Sequence, residues 1–330
     1  MREMGFLMAL FAFGCASRAP VPITRIAPEA IQGGEDIAIG PDGSLYTGTQ
    51  SGEIVAIRPN GQPHRIFSTG GRPLGMRWFG GSSLVVADGR RGLMRVSPSG
   101  ENAVLVPNTA DRPLLCNGVA VAPSGHEVYF TSSSANYPLG KIAGGAMVDD
   151  RSGALYRYDT RTRQATRVLE NLSFPNGVAV LRDGSVVIAE TFACRLLRWD
   201  PQEGRAEAAV LADGLPGYPD NLSVDEEGRL YIALCGSRQP VLDLLRLVPL
   251  SGYPLVPLFG DSHPMSEVAR YAVYESGRMS VHELGEGPEA YAPLTSVVRH
   301  GDKLYFASVG QAGIGMLKAA DQPPAGETAK

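Results

Sequence analysis

The side chains best suited to chemistry are five oxygen donors that recur at one phase of an internal repeat: Glu35, Asn117, Asn176, Asp220 and Asn221. Each stands just before a short apolar run. Carboxylate and amide oxygens are the hard ligands that Ca²⁺ takes, about six to eight of them including waters. Two carboxylates would neutralise the dication, whereas Zn²⁺ would need histidine or cysteine. If these side chains meet, they predict a calcium site; polar residues that only cap strand ends are the alternative.

Two of the five begin Asn-Gly pairs, Asn117 and Asn176. Asn-Gly is the strongest dipeptide signal for a hairpin turn. Both copies, however, have another turn candidate downstream, at residues 124–125 and 183–184. We therefore expect these asparagines to open the innermost strand of a repeat instead of turning a hairpin.

The repeat itself is a polar pair, a short apolar strand, a tight turn, a second apolar strand and a more polar strand. Its six copies begin at Glu35, Pro73, Asn117, Asn176, Asp220 and Thr295. Copies of three or four short strands are typical of a propeller blade, and only a closed ring buries both faces of each blade. We predict an all-β, six-bladed β-propeller, closed by pairing of residues 23–31 with the last blade.

The propeller gives the donor residues a meeting point. Its innermost strands all run alike and line a central channel, so the residues that open them converge at one end of that channel. Because the five oxygen donors share this phase, we expect one Ca²⁺ ion at the top of the channel.

Two stretches interrupt the repeat. Residues 132–152 form a Gly-rich loop insertion in blade three, and residues 241–270 are rich in leucine and proline. Within the second stretch VLDLLRLV has helical spacing, which predicts a short helical and loop insertion in blade five. Both insertions could cap one end of the channel; surface loops without function are the alternative.

The first residues, MREMGFLMALFAFGCAS, have the pattern of an export signal. Cys15 stands where a bacterial lipoprotein signal places its lipidated cysteine; a plain secretory signal and a buried apolar leader are the alternatives. We expect export, to the periplasm or outer membrane as a lipoprotein if the protein is bacterial, and by secretion otherwise. The expected boundaries are a leader and tether over 1–22, a propeller over 23–320 and a flexible tail over 321–330.

Composition and charge limit the classes of partner that the sequence predicts. The 330 residues are 44% hydrophobic with a formal net charge of -4, and they carry no basic patch that would indicate nucleic acid. We expect membrane attachment only through a lipid on Cys15. The other cysteines, Cys116, Cys194 and Cys235, are then odd in number, which argues against a full disulfide framework.

Three segments carry a family resemblance: GGEDIAI, FPNGVAV and LPGYPDNLSV. They resemble motifs of the strictosidine synthase-like and paraoxonase-type propellers, related to the senescence-marker (SMP-30)/gluconolactonase group. The stretch from VYFTSSS to FPNGVAV is similar to the strictosidine synthase conserved region. The resemblance covers residues 30–318 and implies a catalytic calcium bound by the residues that match the family's ligands: Glu35, Asn117, Asn176, Asp220 and Asn221.

Three positions depart from the pattern. Leu74 stands where paraoxonases have a histidine, and Gly118 where they have an aspartate that binds a second calcium. Thr295 stands where strictosidine synthases have a catalytic glutamate, so formation of a carbon–carbon bond is not expected.

The resemblance and the donor set together predict a calcium-dependent hydrolase whose substrate is a small lactone or ester. The metal would polarise the carbonyl, and Asp220 or Glu35 would activate water. We expect the histidines to be surface or packing residues: His64, His126, His263, His282 and His300. The alternatives are a phosphotriesterase-like enzyme at the same metal, and a non-catalytic envelope binding protein whose calcium only rigidifies the ring.

Overall fold

The six repeats form six antiparallel sheets, which are arranged as the blades of a propeller. The structure is a computed structural model and describes residues 20–239 and 268–326. The arrangement of the sheets confirms the predicted fold class. Among the described helices, none is long and apolar enough to cross a membrane.

The strands are numbered in chain order. Ahead of the first blade lie β1 (Thr24–Ile26) and β2 (Gln32–Gly34). Blade one consists of β3 (Ile37–Ile39), β4 (Leu45–Gly48), β5 (Glu53–Ile57) and β6 (Pro63–Ser68). Blade two consists of β7 (Pro73–Phe79), β8 (Ser83–Asp88), β9 (Gly92–Val96) and β10 (Asn102–Pro107). Blade three consists of β11 (Cys116–Val121), β12 (Glu127–Ser132), β13 (Gly153–Asp159) and β14 (Gln164–Leu172).

The second half of the ring follows the same order. Blade four consists of β15 (Pro175–Val180), β16 (Val186–Glu190), β17 (Arg195–Trp199) and β18 (Ala209–Ala212). Blade five consists of β19 (Gly217–Val224), β20 (Leu230–Ser237), β21 (Ala269–Glu275) and β22 (Arg278–Gly285). Blade six contains β23 (Ser296–His300), β24 (Lys303–Ala312) and β25 (Ile314–Lys318), and a 3₁₀ turn follows at Ala319–Asp321.

The ring is closed by the N-terminal segment. β1 pairs antiparallel with β25, with Thr24 opposite Met316, and so becomes the outermost strand of blade six. β2 pairs with β24 of the same blade. The predicted closure is therefore confirmed, and β1 covers the outer edge of β25.

The hydrophobic core lies between neighbouring blades, where the face of one sheet packs on the next. Between blades one and two, for example, Ile54 packs with Met76 and Leu84, and each of these side chains is fully buried. Burial of one such side chain contributes about 1.5–3 kcal/mol. Because each sheet needs both neighbours, the ring stabilises the blades collectively.

The innermost strands carry a common irregularity at the end where the repeat begins. In blades two to five the pairing register shifts across two residues: 74–75, 117–118, 176–177 and 220–221. Such a bulge re-aims a side chain that would otherwise follow the strict alternation of the sheet. A Cβ atom on Gly177 would come within 2.5 Å of the Asp220 carbonyl, and Gly75 and Gly118 are equally crowded by the next blade. The glycine of Asn-Gly thus serves close blade contact and not a hairpin.

An ion pair between a half-buried arginine and a buried aspartate joins the blades around the channel. Asp36 is fully buried and its Oδ2 accepts a hydrogen bond of 2.5 Å from Arg77 Nη1. Arg77 Nη2 donates to the carbonyl of Leu222 at 2.6 Å, and Ser296 Oγ donates to Asp36 Oδ1 at 2.8 Å. The network connects blades one, two, five and six.

Arg77→Met is expected to destabilise the protein by about 3–5 kcal/mol, because it leaves the Asp36 carboxylate buried without its counter-charge. Urea unfolding measures the effect. Arg65→Met breaks a surface pair with Glu53, in which Arg65 is 61% exposed, and should change stability by less than about 1 kcal/mol. Equal losses in the two variants would contradict the role of the Asp36–Arg77 pair.

Two segments outside the blade strands have contacts or secondary structure that the sequence did not predict. The blade-three insertion, predicted as a loop, contains the helix α1 (Ile142–Met147). Residues 321–326, predicted as part of a flexible tail, pack against blade five: the Pro323 carbonyl contacts His282 Nδ1 at 3.1 Å, and Gly326 bridges to Val281. The predicted leader with Cys15 and the blade-five insertion with VLDLLRLV lie outside the described residues, apart from their ends.

Candidate functional site

One cavity occupies the end of the channel at which the innermost strands begin. Its volume is about 400 Å³. Four of the five predicted donor residues line it: Glu35, Asn117, Asn176 and Asp220. Each of the four is at most 5% exposed, although they come from distant parts of the chain. The bulges of blades three to five present Asn117, Asn176 and Asp220, and the connection between β2 and β3 presents Glu35.

Each of these four side chains ends in a buried oxygen that has no hydrogen-bond partner in the described part of the chain. The atoms are Glu35 Oε2, Asn117 Oδ1, Asn176 Oδ1 and Asp220 Oδ1. Buried polar atoms are almost always hydrogen-bonded, and an unsatisfied one costs about 1–3 kcal/mol. Four such oxygens around one cavity therefore indicate a site built for a ligand that accepts lone pairs.

Asn221, the fifth predicted donor, is placed differently. It is 2% exposed, and its amide Nδ2 donates to Glu35 Oε1 at 2.9 Å and to the Thr295 carbonyl at 3.0 Å. Thr295 Oγ1 in turn donates to the Glu35 carbonyl at 2.7 Å. Asn221 thus orients the Glu35 carboxylate, and blade six supports the same residue through Thr295.

A second set of residues, which sequence reasoning missed, fixes the backbone of the site. Thr131 Oγ1 donates to the Asn176 carbonyl at 2.6 Å, and Thr191 Oγ1 donates to the Pro219 carbonyl at 2.7 Å. Ser133 Oγ accepts a hydrogen bond from the side-chain amide Nδ2 of Asn117 at 3.0 Å. Threonine recurs at the end of the second strand of a blade, in LYTGT, YFTSSS and IAET, which is the signal that could have identified them.

Burial dominates the electrostatics of the two carboxyls. It raises the pKa of Glu35 well above its usual range, and the nearby Asp220 and Asp36 charges raise it further. Burial also raises the pKa of Asp220 to about 7, against the opposing hydrogen bond from the Cys235 thiol. Two buried carboxyls that face one cavity without a full counter-charge are costly, so a bound cation would relieve both.

The walls of the cavity are apolar. They are formed mainly by Leu74, Leu139, Ile142, Ala146, Phe174 and Phe192. The rings of Phe174 and Phe192 stack with their centroids 4.4 Å apart. Leu139, Ile142 and Ala146 come from the blade-three insertion, so this segment does cap the end of the channel that holds the donor oxygens.

A polar hub anchors that insertion at its base. Asp150 is 8% exposed, and its Oδ2 accepts hydrogen bonds from Ser134 Oγ at 2.6 Å and from Ser152 Oγ at 2.8 Å. Asn136 Nδ2 donates to the other carboxylate oxygen at 2.9 Å. The two ends of the insertion are thereby held together, which positions its apolar side chains over the cavity.

The histidines that the structure describes lie away from this cavity. His282 is 7% exposed and stacks on Tyr271 in the outer part of blade five, with ring centroids 4.9 Å apart. His300 lines a separate cavity at the opposite end of the channel. His263 lies outside the described residues.

The cavity has one further charged residue that the sequence did not single out. Arg72 lies immediately before β7 and lines the cavity beside Glu35. Of the cysteines, Cys235 also lines the cavity, whereas Cys116 and Cys194 are buried elsewhere.

The fold and the site together define the class: the protein is a six-bladed β-propeller with buried oxygen donors around a cavity at one end of its channel. Two family models match the chain: "Strictosidine synthase" over residues 117–203 and "Strictosidine synthase-like, N-terminal" over residues 22–57. The adipocyte plasma membrane-associated protein of Salmo salar is 31% identical over 310 residues, which cover 83% of this chain and 74% of the relative. The chain therefore belongs to the strictosidine synthase-like family of β-propellers.

Other relatives match over shorter lengths. STRICTOSIDINE SYNTHASE-LIKE 2 of Arabidopsis thaliana is 36% identical over 174 residues, covering 50% of this chain and 46% of the relative. The chain thus matches about half the length of this plant protein.

Solved structures share the fold. A gluconolactonase from Xanthomonas campestris superposes with a TM-score of 0.64 at 17% identity, covering 92% of this chain and 95% of the other. Regucalcin from Agrobacterium tumefaciens, described as a calcium-binding protein, gives 0.60 at 16% identity, covering 90% and 93%. At these identities the likeness shows that the fold is of the gluconolactonase and regucalcin type.

Proposed function

We propose that this protein is a calcium-dependent hydrolase of lactones or esters, with Ca²⁺ held at the Glu35 end of the channel. The observation that carries the proposal is the set of four buried oxygens, from two carboxylates and two amides, that have no partner among the described residues. Glu35, Asn117, Asn176 and Asp220 would hold the ion through these atoms, with Asn221 orienting Glu35.

The donor set fits Ca²⁺ better than other metals. All four atoms are oxygens, and two carry negative charge, which matches a hard dication. The described residues contain no group of three or more His, Cys, Asp or Glu side chains suited to a metal, and this disfavours a zinc site of the usual kind. Water or substrate in the cavity would supply the remaining ligands of the ion.

When bound, the ion would polarise a substrate carbonyl and stabilise the negative charge that develops on its oxygen. The residues of the chain supply the rest. The apolar walls exclude bulk water and hold the acyl or aryl part of the substrate, which strengthens every electrostatic interaction within the cavity. Asp220 and Glu35 are the proposed acceptors of the proton from the attacking water, since both carboxyls face the cavity.

One fold neighbour is named a gluconolactonase, and this name supports the proposal of a lactone-hydrolysing function. The walls of this cavity, however, offer few hydrogen-bonding groups for a polyhydroxylated ring. We therefore propose apolar lactones and aryl or alkyl esters as substrates. We further propose that the protein acts outside the cytoplasm, on the basis of its N-terminal sequence.

A panel of substrates tests this function. On purified protein with Ca²⁺, kcat/KM should rise by about fourfold for each methylene added to a lactone side chain until the cavity is filled, because each buried CH₂ contributes about 0.8 kcal/mol. Gluconolactone should be a poor substrate, and EDTA should abolish turnover. A protein that binds Ca²⁺ but turns over no lactone or ester of the panel would be a calcium-stabilised binding protein instead.

A further inference from the structure

Blade two offers the cavity a cation where its neighbours offer oxygens. At the bulge where blades three and four present Asn117 and Asn176, blade two presents the apolar Leu74. Arg72, two residues earlier, lines the same cavity. The wall on this side therefore consists of a leucine and a guanidinium.

One hydrogen bond holds the backbone of Arg72 and another holds its side chain. Its backbone N–H donates to Asp88 Oδ1 at 3.0 Å, and its guanidinium Nη2 donates to the Gly33 carbonyl at 2.8 Å. Asp88 Oδ1 also accepts the backbone N–H groups of Arg90 and Arg91, each at 2.9 Å. The guanidinium is thus pre-positioned at the junction of blades one and two.

The other terminal nitrogen is left free. Arg72 Nη1 is buried and has no hydrogen-bond partner in the described part of the chain. Glu35 and Asp88 lie near enough to attract the guanidinium, yet neither accepts a hydrogen bond from Nη1. An unsatisfied charged donor is costly to bury, which indicates that its partner arrives with a ligand.

We propose that Arg72 Nη1 binds the carboxylate of the ligand that occupies this cavity, and that during turnover this is the carboxylate that hydrolysis produces. A planar guanidinium matches a carboxylate, and the charge-assisted hydrogen bond is about twice as strong as a neutral one. The second clause rests on the proposed function. In that reaction the oxygen of water joins the acyl carbon, the bond to the alkoxy oxygen breaks, the alcohol keeps one proton, and the acid releases another.

The test uses two probes of the same shape, 3-phenylpropanoate and 3-phenylpropanamide, titrated calorimetrically into the full-length protein with Ca²⁺ present. The wild type should bind the carboxylate about tenfold or more tighter than the amide, and Arg72→Gln should weaken the carboxylate about 10- to 100-fold while changing the amide less than about twofold. Arg72→Lys, which keeps the charge but loses the fork, should fall between. Arg90→Gln removes an exposed charge next to Asp88 and should change neither affinity.

Three outcomes would overturn the proposal: no preference of the wild type for the carboxylate, equal weakening of both probes by Arg72→Gln, or carboxylate binding that EDTA abolishes and Arg72→Gln leaves intact. The last would place the carboxylate on the metal. If Arg72→Gln does not fold, as judged by circular dichroism, Arg72→Lys decides. A selective loss of carboxylate binding in a protein that hydrolyses no ester would support the Arg72 site and contradict the proposed hydrolysis.

Discussion

Asp220→Asn is expected to lower kcat/KM for ester hydrolysis by at least about 10³-fold, because it removes one of two negative charges around the proposed ion and a proposed proton acceptor. The substitution keeps the size of the side chain, which is 5% exposed and accepts a hydrogen bond from Cys235. Initial rates with an aryl ester at saturating Ca²⁺ measure the effect, and calorimetry measures the accompanying loss of Ca²⁺ affinity.

The matched control is Asp183→Asn. Asp183 lies in the hairpin turn of blade four, where it pairs with Arg198 and is 55% exposed. This turn follows the end of β15, whereas Asn176 lies at the beginning of that strand. This variant should keep wild-type rates. A folded Asp220→Asn protein whose activity stays within tenfold of wild type would contradict both roles assigned to Asp220.

Removal of Ca²⁺ by EDTA is expected to lower the melting temperature by about 5–10 °C. An ion present at 100 times its Kd stabilises the native state by about 2.7 kcal/mol, and each kcal/mol corresponds to about 2–4 °C in a domain of this order of size. The physical reason is the mutual repulsion and desolvation of Glu35 and Asp220, which a cation offsets in the native state only. Differential scanning calorimetry with and without EDTA measures the shift.

Two controls accompany the EDTA experiment: adding a metal ion back, and repeating the measurement on Glu35→Gln. Added Ca²⁺ should restore the melting temperature, and Mg²⁺ should restore it poorly because it keeps its own waters. Glu35→Gln should abolish most of the EDTA effect, since it removes one ligand charge while keeping a group that Asn221 can reach. An unchanged melting temperature of the wild type after EDTA would exclude a stabilising ion at this site.

The sequence was sufficient to predict the blades because each blade is local. A polar opening, two apolar strands and a glycine turn recur within a few tens of residues, so the pattern of Asn117-GVAVA and Asn176-GVAVL can be read without knowledge of the rest of the chain. As predicted, these asparagines open inner strands and do not turn hairpins: they lie within β11 and β15. The closure by residues near Thr24 was also predictable, because the sixth copy has only three strands of its own and needs one outer strand from elsewhere in the chain.

Other features could not be predicted, because they depend on contacts between blades. The sequence predicted Asn221 as a metal ligand from its residue type and its place in the repeat. In the structure its Nδ2 donates a hydrogen bond to Glu35 Oε1, a contact that the sequence could not show. Arg72 carried no motif, and its free Nη1 becomes apparent only when Gly33 and Asp88 are placed around it. The helix in the blade-three insertion has two internal glycines and no capping side chain, so no local signal favoured it.

The sequence by itself determined the repeat, the number of blades and the phase at which oxygen donors occur, since all three are encoded in short segments that bury their apolar faces the same way. Only the tertiary structure decided which donors point into the channel, which ones hold their neighbours, and which charge lacks a partner. The reason is that closing the ring brings together residues as distant as Glu35 and Asn221, 186 positions apart, and the bulges formed at these contacts set the direction of each side chain.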